Sequence, residues 1–112
     1  MSRHNDATSL RHMRDHAEEA LSLVTRIERS RFDSDRVLQL ALTRLIEVVG
    51  EAASRVSEET RTINPSIPWK QIVGMRNRLI HGYDMLDLDL LWITVTEELP
   101  QPVGELDKIV GN

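Results

Sequence analysis

The stretch Val37-Leu38-Gln39-Leu40-Ala41-Leu42-Thr43-Arg44-Leu45-Ile46-Glu47-Val48-Val49-Gly50-Glu51-Ala52-Ala53 decides the fold. Val37, Leu38, Leu40, Ala41, Leu45, Ile46, Val48, Val49, Ala52, Ala53 and, beyond the stretch, Val56 follow helical spacing for several turns, without the alternation of a strand. A helix with so wide an apolar face is central: it packs on neighbours on two sides, or on another subunit. Gly50 inside it costs about 1 kcal/mol relative to alanine, which signals a close helix crossing. The segment Arg31-Phe32-Asp33-Ser34 breaks the chain ahead of this helix and offers its N-cap.

Upstream, Leu10, Met13, Ala17, Ala20, Leu21, Val24 and Ile27 recur at three- and four-residue steps, a first helix with Arg14, Glu18, Glu19 and Arg26 facing out. Downstream, Asn64-Pro65-Ser66-Ile67-Pro68 is a turn, because proline lacks an amide donor and restricts the residue before it. Pro68 then opens a third helix with Trp69, Ile72, Val73, Leu79 and Ile80 inward, ended by Gly82 as a left-handed cap, so that His81 falls in its last turn. Asp87 caps a fourth helix with Leu88, Leu91, Trp92, Val95 and Leu99 inward, and Pro100 to Val110 form a short last one. No strand pattern or internal repeat is evident. The expectation is an all-α bundle, a four-helix core with a short extra C-terminal helix, in a single domain spanning residues 1–112.

A hydrophobic share of 40% with 29% charged residues fits a soluble globular protein, and no long apolar run or signal-peptide pattern appears, which implies the cytoplasm and no membrane. With no cysteine, disulfides, thiolate nucleophiles and cysteine-based zinc sites are excluded. A formal charge of -4 argues against a general nucleic-acid coat, since cationic side chains supply most non-specific affinity. The charge is unevenly spread, however. Residues 69–83 carry Lys70, Arg76 and Arg78 with no acid, whereas 84–112 carry seven acids against Lys108 alone.

That basic island contains Arg76-Asn77-Arg78-Leu79-Ile80-His81-Gly82-Tyr83, which gathers two guanidiniums, an amide, an imidazole and a phenol. Cleaving RNA without a metal needs such groups: the 2′-hydroxyl must lose a proton, the 5′ oxygen must gain one, and charge on the phosphoryl oxygens must be stabilised. Imidazole serves either proton step near neutrality, and the forked, permanent charge of arginine suits the phosphate. On an ideal helix Arg76 and His81 would point roughly 140° apart, whereas Asn77 and Arg78 would face His81. Either the helix end frays and Arg76 bends round, or two subunits combine their motifs in one cleft; the second is the favoured arrangement.

The Arg-Asn, four-residue, His spacing resembles the signature of HEPN-domain ribonucleases, and its extension through Tyr83 resembles the Arg-x4-His-x-Tyr motif of the HepT toxins. Leu45-Ile46-Glu47-Val48-Val49-Gly50-Glu51-Ala52, the Pro65-Ser66-Ile67-Pro68-Trp69 turn and Gly74-Met75-Arg76-Asn77 look like the same family, so the similarity runs from about residue 5 to the C-terminus. The resemblance implies a HEPN four-helix core, a homodimer with its active cleft between subunits, and metal-independent RNA cleavage without a cofactor in a toxin-antitoxin pair. With it, Arg76 and His81 are the expected catalytic residues, and Asn77, Arg78 and Lys70 are expected on the RNA. It also implies an antitoxin partner, a nucleotidyltransferase of the MNT type, that silences the toxin by adding AMP to the motif tyrosine, here Tyr83.

Each feature has a plainer alternative. His81 can serve only as a favourable cation at a helix C-terminus, and Tyr83 as a packing residue beyond the cap. His12 and His16 have the spacing of a two-histidine metal pair, with Asp15 and Glu19 nearby, but no third ligand is apparent and they are expected to face solvent. Glu51 either pairs with a basic motif residue or lies on a solvated face. Trp69 and Trp92 fit core positions. The competing function is a non-catalytic dimeric module whose basic cleft binds a nucleotide or docks a nucleotidyltransferase.

Overall fold

Packing centres on one long helix that meets the first, second, fifth, sixth and seventh helices. The computed structural model describes residues 3–81 and 85–111, and for residues 3, 4 and 81 the backbone alone. Helix α1 (Arg3–Val24) is followed by a single turn, α2 (Arg29–Asp33), and by the central α3 (Arg36–Ser54). Next come α4 (Glu58–Ile63), α5 (Trp69–Val73) and α6 (Met75–Leu79). Two residues, β1 (Ile80–His81), pair antiparallel with β2 (Met85–Leu86) before α7 (Leu88–Ile93), a π-helical turn over Thr94–Glu98, and α8 (Pro100–Val110). The protein is all-α, and none of its described helices is long and apolar enough to cross a membrane.

Helix α1 lays the predicted stripe Leu10, Met13, Ala17, Ala20 and Val24 against α3, whose Leu42, Leu45, Ile46, Val49 and Ala53 are buried. On its other flank α3 receives α5 and α6 through Trp69, Ile72, Met75 and Leu79. Leu91, Val95, Leu99, Val103 and Leu106 close the core from α7, the π turn and α8. The wide apolar face is thus covered on two sides within one chain, while Val37 and Leu40 stay exposed near the start of α3.

Polar side chains fix the joints. The N-cap of α3 is Asp35, whose carboxylate accepts from the Leu38 amide at 3.0 Å, one residue past the expected break; Phe32 within that break is a buried core residue on α2. Buried Gln39 donates to the Phe32 and Asp33 carbonyls at the end of α2. Asp6 is buried and accepts from the Ser57 amide and from the Ser57 and Thr60 hydroxyls, which ties α1 to the first turn of α4. Arg61 donates to the Val56 and Ala53 carbonyls and covers the open end of α3.

One helix was not expected, and three expectations are corrected. The helix over Glu58–Ile63 has no buried residue and so left no apolar periodicity to read. The third helix is two short ones that meet at Gly74, and the fourth continues into a π turn. His81 does not lie in a helical turn: the chain leaves the helix at Ile80 (φ -107°, ψ 120°) and becomes extended, because Ile80 and His81 find backbone partners in Leu86 and Met85. The expected cap at Gly82 lies outside the described residues.

Candidate active site

The basic segment is shaped by α5 and α6. Trp69, Ile72, Met75 and Leu79 are buried, and between them Lys70 and Val73 on α5, and Arg76, Asn77 and Arg78 on α6, face out. The backbone is pressed against α3 at their junction. A Cβ placed on Gly50 would stand 3.2 Å from the Ile72 carbonyl oxygen and 3.5 Å from that of Val73, so glycine there is what lets the end of α5 lie so close to α3.

From that position Arg76 reaches back to α3. Its Nε donates to Oε2 of Glu47, whose side chain is 22% exposed while that of Arg76 is 52% exposed. Arg44, one turn earlier on α3, stands 3.9 Å from the other carboxylate oxygen. The guanidinium of Arg76 is therefore tethered by its inner nitrogen, and its two terminal amines make no hydrogen bond among the described residues. Arginine offers five donors in a plane, so four remain for a ligand.

Arg78 points elsewhere. Two residues on from Arg76, it projects roughly 200° away around the helix, where Nη2 donates to the Gln71 carbonyl at 3.2 Å and lies 3.9 Å from Oε1 of Glu98. Glu98 belongs to the π turn. Asn77 is exposed between the two guanidiniums and makes no side-chain hydrogen bond among the described residues. Lys70 borders a separate open groove of about 700 Å³ with Arg61, Trp69 and Val73, in which the Arg61 guanidinium lies 5.9 Å from the indole centroid. Arg76 and Asn77 are thus neighbours on α6, whereas Lys70 borders the groove with Arg61, and Arg78 turns to Gln71 and Glu98.

His81 enters on β1, opposite Met85, and the Leu79 carbonyl accepts from the Asp87 amide at 2.9 Å, so the hairpin that carries it is anchored at its base. Its imidazole and Tyr83 lie outside the described residues. The partner that sequence reasoning sought in Glu51 is Glu47. Both lie on the outward side of α3, one turn apart, so spacing alone did not choose between them. Glu51 instead lines a polar groove of about 410 Å³ between α1 and α3, with Ser9, His12 and Arg55. His16 Nδ1 is hydrogen-bonded to the His12 carbonyl at 2.7 Å, and among the described residues no group of three histidine or acidic side chains is arranged to hold a metal.

A family model described as "Ribonuclease HepT-like" matches residues 13–109. A Thermococcus cleftensis protein named "Probable ribonuclease HepT" is 36% identical over 78 residues, covering 70% of this chain and 71% of its own length. A protein of Methanocaldococcus jannaschii named as a candidate RNase is 33% identical over 91 residues, 81% of this chain and 84% of its own. Another candidate RNase, from Caldanaerobacter subterraneus, is 33% identical over 101 residues, 90% of each. No solved structure gives a significant match.

Proposed function

The chain belongs to the HepT-like ribonuclease family, and from that premise we propose that it is the cytoplasmic toxin of a toxin-antitoxin pair, cutting RNA by transesterification without a metal ion. The ribose 2′-hydroxyl attacks the adjacent phosphorus and gives its proton to a His81 imidazole, while the departing 5′ oxygen takes one up. The products are a 2′,3′-cyclic phosphate and a 5′-hydroxyl, and no water is consumed. Arg76 holds the phosphoryl oxygens as charge builds on them. Asn77 orients the same phosphate, and Arg78 and Lys70 contact the strand farther out.

One imidazole cannot at the same moment be unprotonated to accept and protonated to donate. A homodimer that faces two motifs across one cleft supplies both forms, which favours the shared site. Tyr83, two residues beyond His81, is the off switch: its phenol oxygen takes AMP from ATP with release of pyrophosphate, in a reaction run by an MNT-type nucleotidyltransferase antitoxin. The added group puts a bulky anion beside the cleft.

The observation that carries this reading is the position of Arg76, exposed and tethered through Nε with its terminal amines open, on the helix that leads directly into His81. The test is growth of bacteria on induction of the chain, beside Arg76→Ala and His81→Ala, with total RNA from each culture on a denaturing gel and purified protein assayed with and without EDTA. Arrest and RNA trimming by the parent alone, insensitive to EDTA, support the reading. A harmless parent, or variants as toxic as the parent, would replace it with a non-catalytic module that docks a nucleotidyltransferase.

A further inference from the structure

We propose that Glu47 is a positioning residue for the phosphate-binding arginine: it locks the guanidinium of Arg76 by its inner nitrogen so that the outer fork meets the phosphate already aligned. This rests on the role proposed for Arg76. The tether joins two elements that are otherwise set only by packing, since Glu47 is on α3 and Arg76 on α6.

The geometry distinguishes a positioning contact from one that merely neutralises the arginine. A carboxylate that competed with substrate would take the paired terminal amines, the fork that also matches a phosphate. Glu47 takes Nε instead, and no hydrogen bond occupies that fork among the described residues. The Glu47 side chain is only 22% exposed on a long helix, and Arg44 lies 3.9 Å from its second oxygen. An arginine side chain on a five-residue helix has several rotatable bonds to freeze before it can grip a phosphate. Spending that entropy in the free protein leaves less to be lost as bound RNA reaches the transition state, where charge builds on the phosphoryl oxygens, so the advantage falls on kcat.

Glu51, next on the same face, lines the groove with His12 and Arg55 and makes no ion pair among the described residues, so it serves as an internal control.

The experiment is steady-state cleavage of a defined RNA oligonucleotide by the full chain and by Glu47→Ala, Glu47→Gln, Arg76→Ala, the Glu47→Ala/Arg76→Ala double variant and Glu51→Ala, each checked for an unchanged melting curve. Glu47→Ala should lower kcat about 10- to 100-fold with KM changed less than about threefold. Glu47→Gln, which keeps an acceptor oxygen, should recover part of the loss. The double variant should be no slower than Arg76→Ala, and Glu51→Ala should match the parent. A parent-like kcat for Glu47→Ala, or losses that multiply in the double variant, would overturn the proposal while leaving ribonuclease activity in place. A second measurement does not depend on cleavage: the Arg76 Nε proton, followed by NMR, should exchange with water more slowly in the parent than in Glu47→Ala. Equal exchange in the two would also overturn it, even if the parent cut no RNA.

Discussion

Gly50 of α3 faces the carbonyl oxygen of Ile72 on α5 so closely that a single added carbon would stand 3.2 Å away. The neighbour is backbone within a helix, and it cannot swing aside as a side chain would. Gly50→Ala sets the gain of about 1 kcal/mol in helix propensity against that contact, so the two nearly cancel. Gly50→Val adds two methyl groups and must push α5 away. It should cost about 2 kcal/mol, read as a fall in melting temperature. Because α5 leads straight into α6, RNA cleavage should fall further than the loss of folded protein accounts for. A valine variant as stable and active as the parent would mean that the crossing does not set the position of Arg76.

Asp6 gives the chain a pH-dependent anchor. Burial alone would push its carboxyl pKa up, but the donors of Ser57 and Thr60 outweigh it and hold the group below its ordinary value of 3.8. A carboxyl with a depressed folded-state pKa stabilises the fold fully above its unfolded value, and that contribution is lost as pH falls through the folded one. Asp6→Asn should therefore lower stability at pH 7 by about 2 kcal/mol, a charge-assisted hydrogen bond or two. The gap between variant and parent should narrow below about pH 4. Chemical denaturation at pH 7 and pH 3 reads both effects; a gap that does not narrow in acid would remove the carboxylate from the account.

Beyond α1 the chain reverses through Arg26, which has φ of 67°. A side chain in that left-handed region costs roughly 1 kcal/mol, and glycine escapes most of it. Arg26→Gly should raise the melting temperature by a few degrees, to the extent of about 4 °C per kcal/mol. The opposite sign would show that the greater freedom of glycine in the unfolded chain prevails here.

How far the sequence carried depended on what periodicity can encode. The apolar stripes of α1 and α3 were legible because burial repeats along them, and so were the Asp87 cap, which accepts from the Leu90 amide, and the start of α8 at Pro100. Helix α4 buries nothing, so no stripe marked it. The helix end at Leu79 was misplaced because the residues after it are held by pairing with Met85 and Leu86, a contact with a later segment rather than a local preference. At the site, the residue types were legible, but their grouping was not. Arg76, Asn77 and Arg78 are adjacent in sequence, yet Glu47 and Glu98, 29 and 20 positions from their partners, draw the two arginines to different sides.

That separation predicts unequal roles for the two arginines. Arg76 presents an open fork, and removing it should cost about 100-fold or more in kcat by loss of charge stabilisation at the phosphorus. Arg78 already donates to the Gln71 carbonyl and sits near Glu98, both exposed, so it contributes only a screened outer contact to RNA. Arg78→Ala should leave kcat within about threefold of the parent and raise KM, and it should reduce the salt slope of RNA binding by about 0.7, the value for one single-strand phosphate contact. Glu98→Gln should shift KM the other way, since it frees the Arg78 charge. Cleavage across a series of salt concentrations measures all three effects. If Arg78→Ala instead abolishes turnover while Arg76→Ala is tolerated, the site lies on the π-turn side of α6, and the roles assigned to the two arginines must be exchanged.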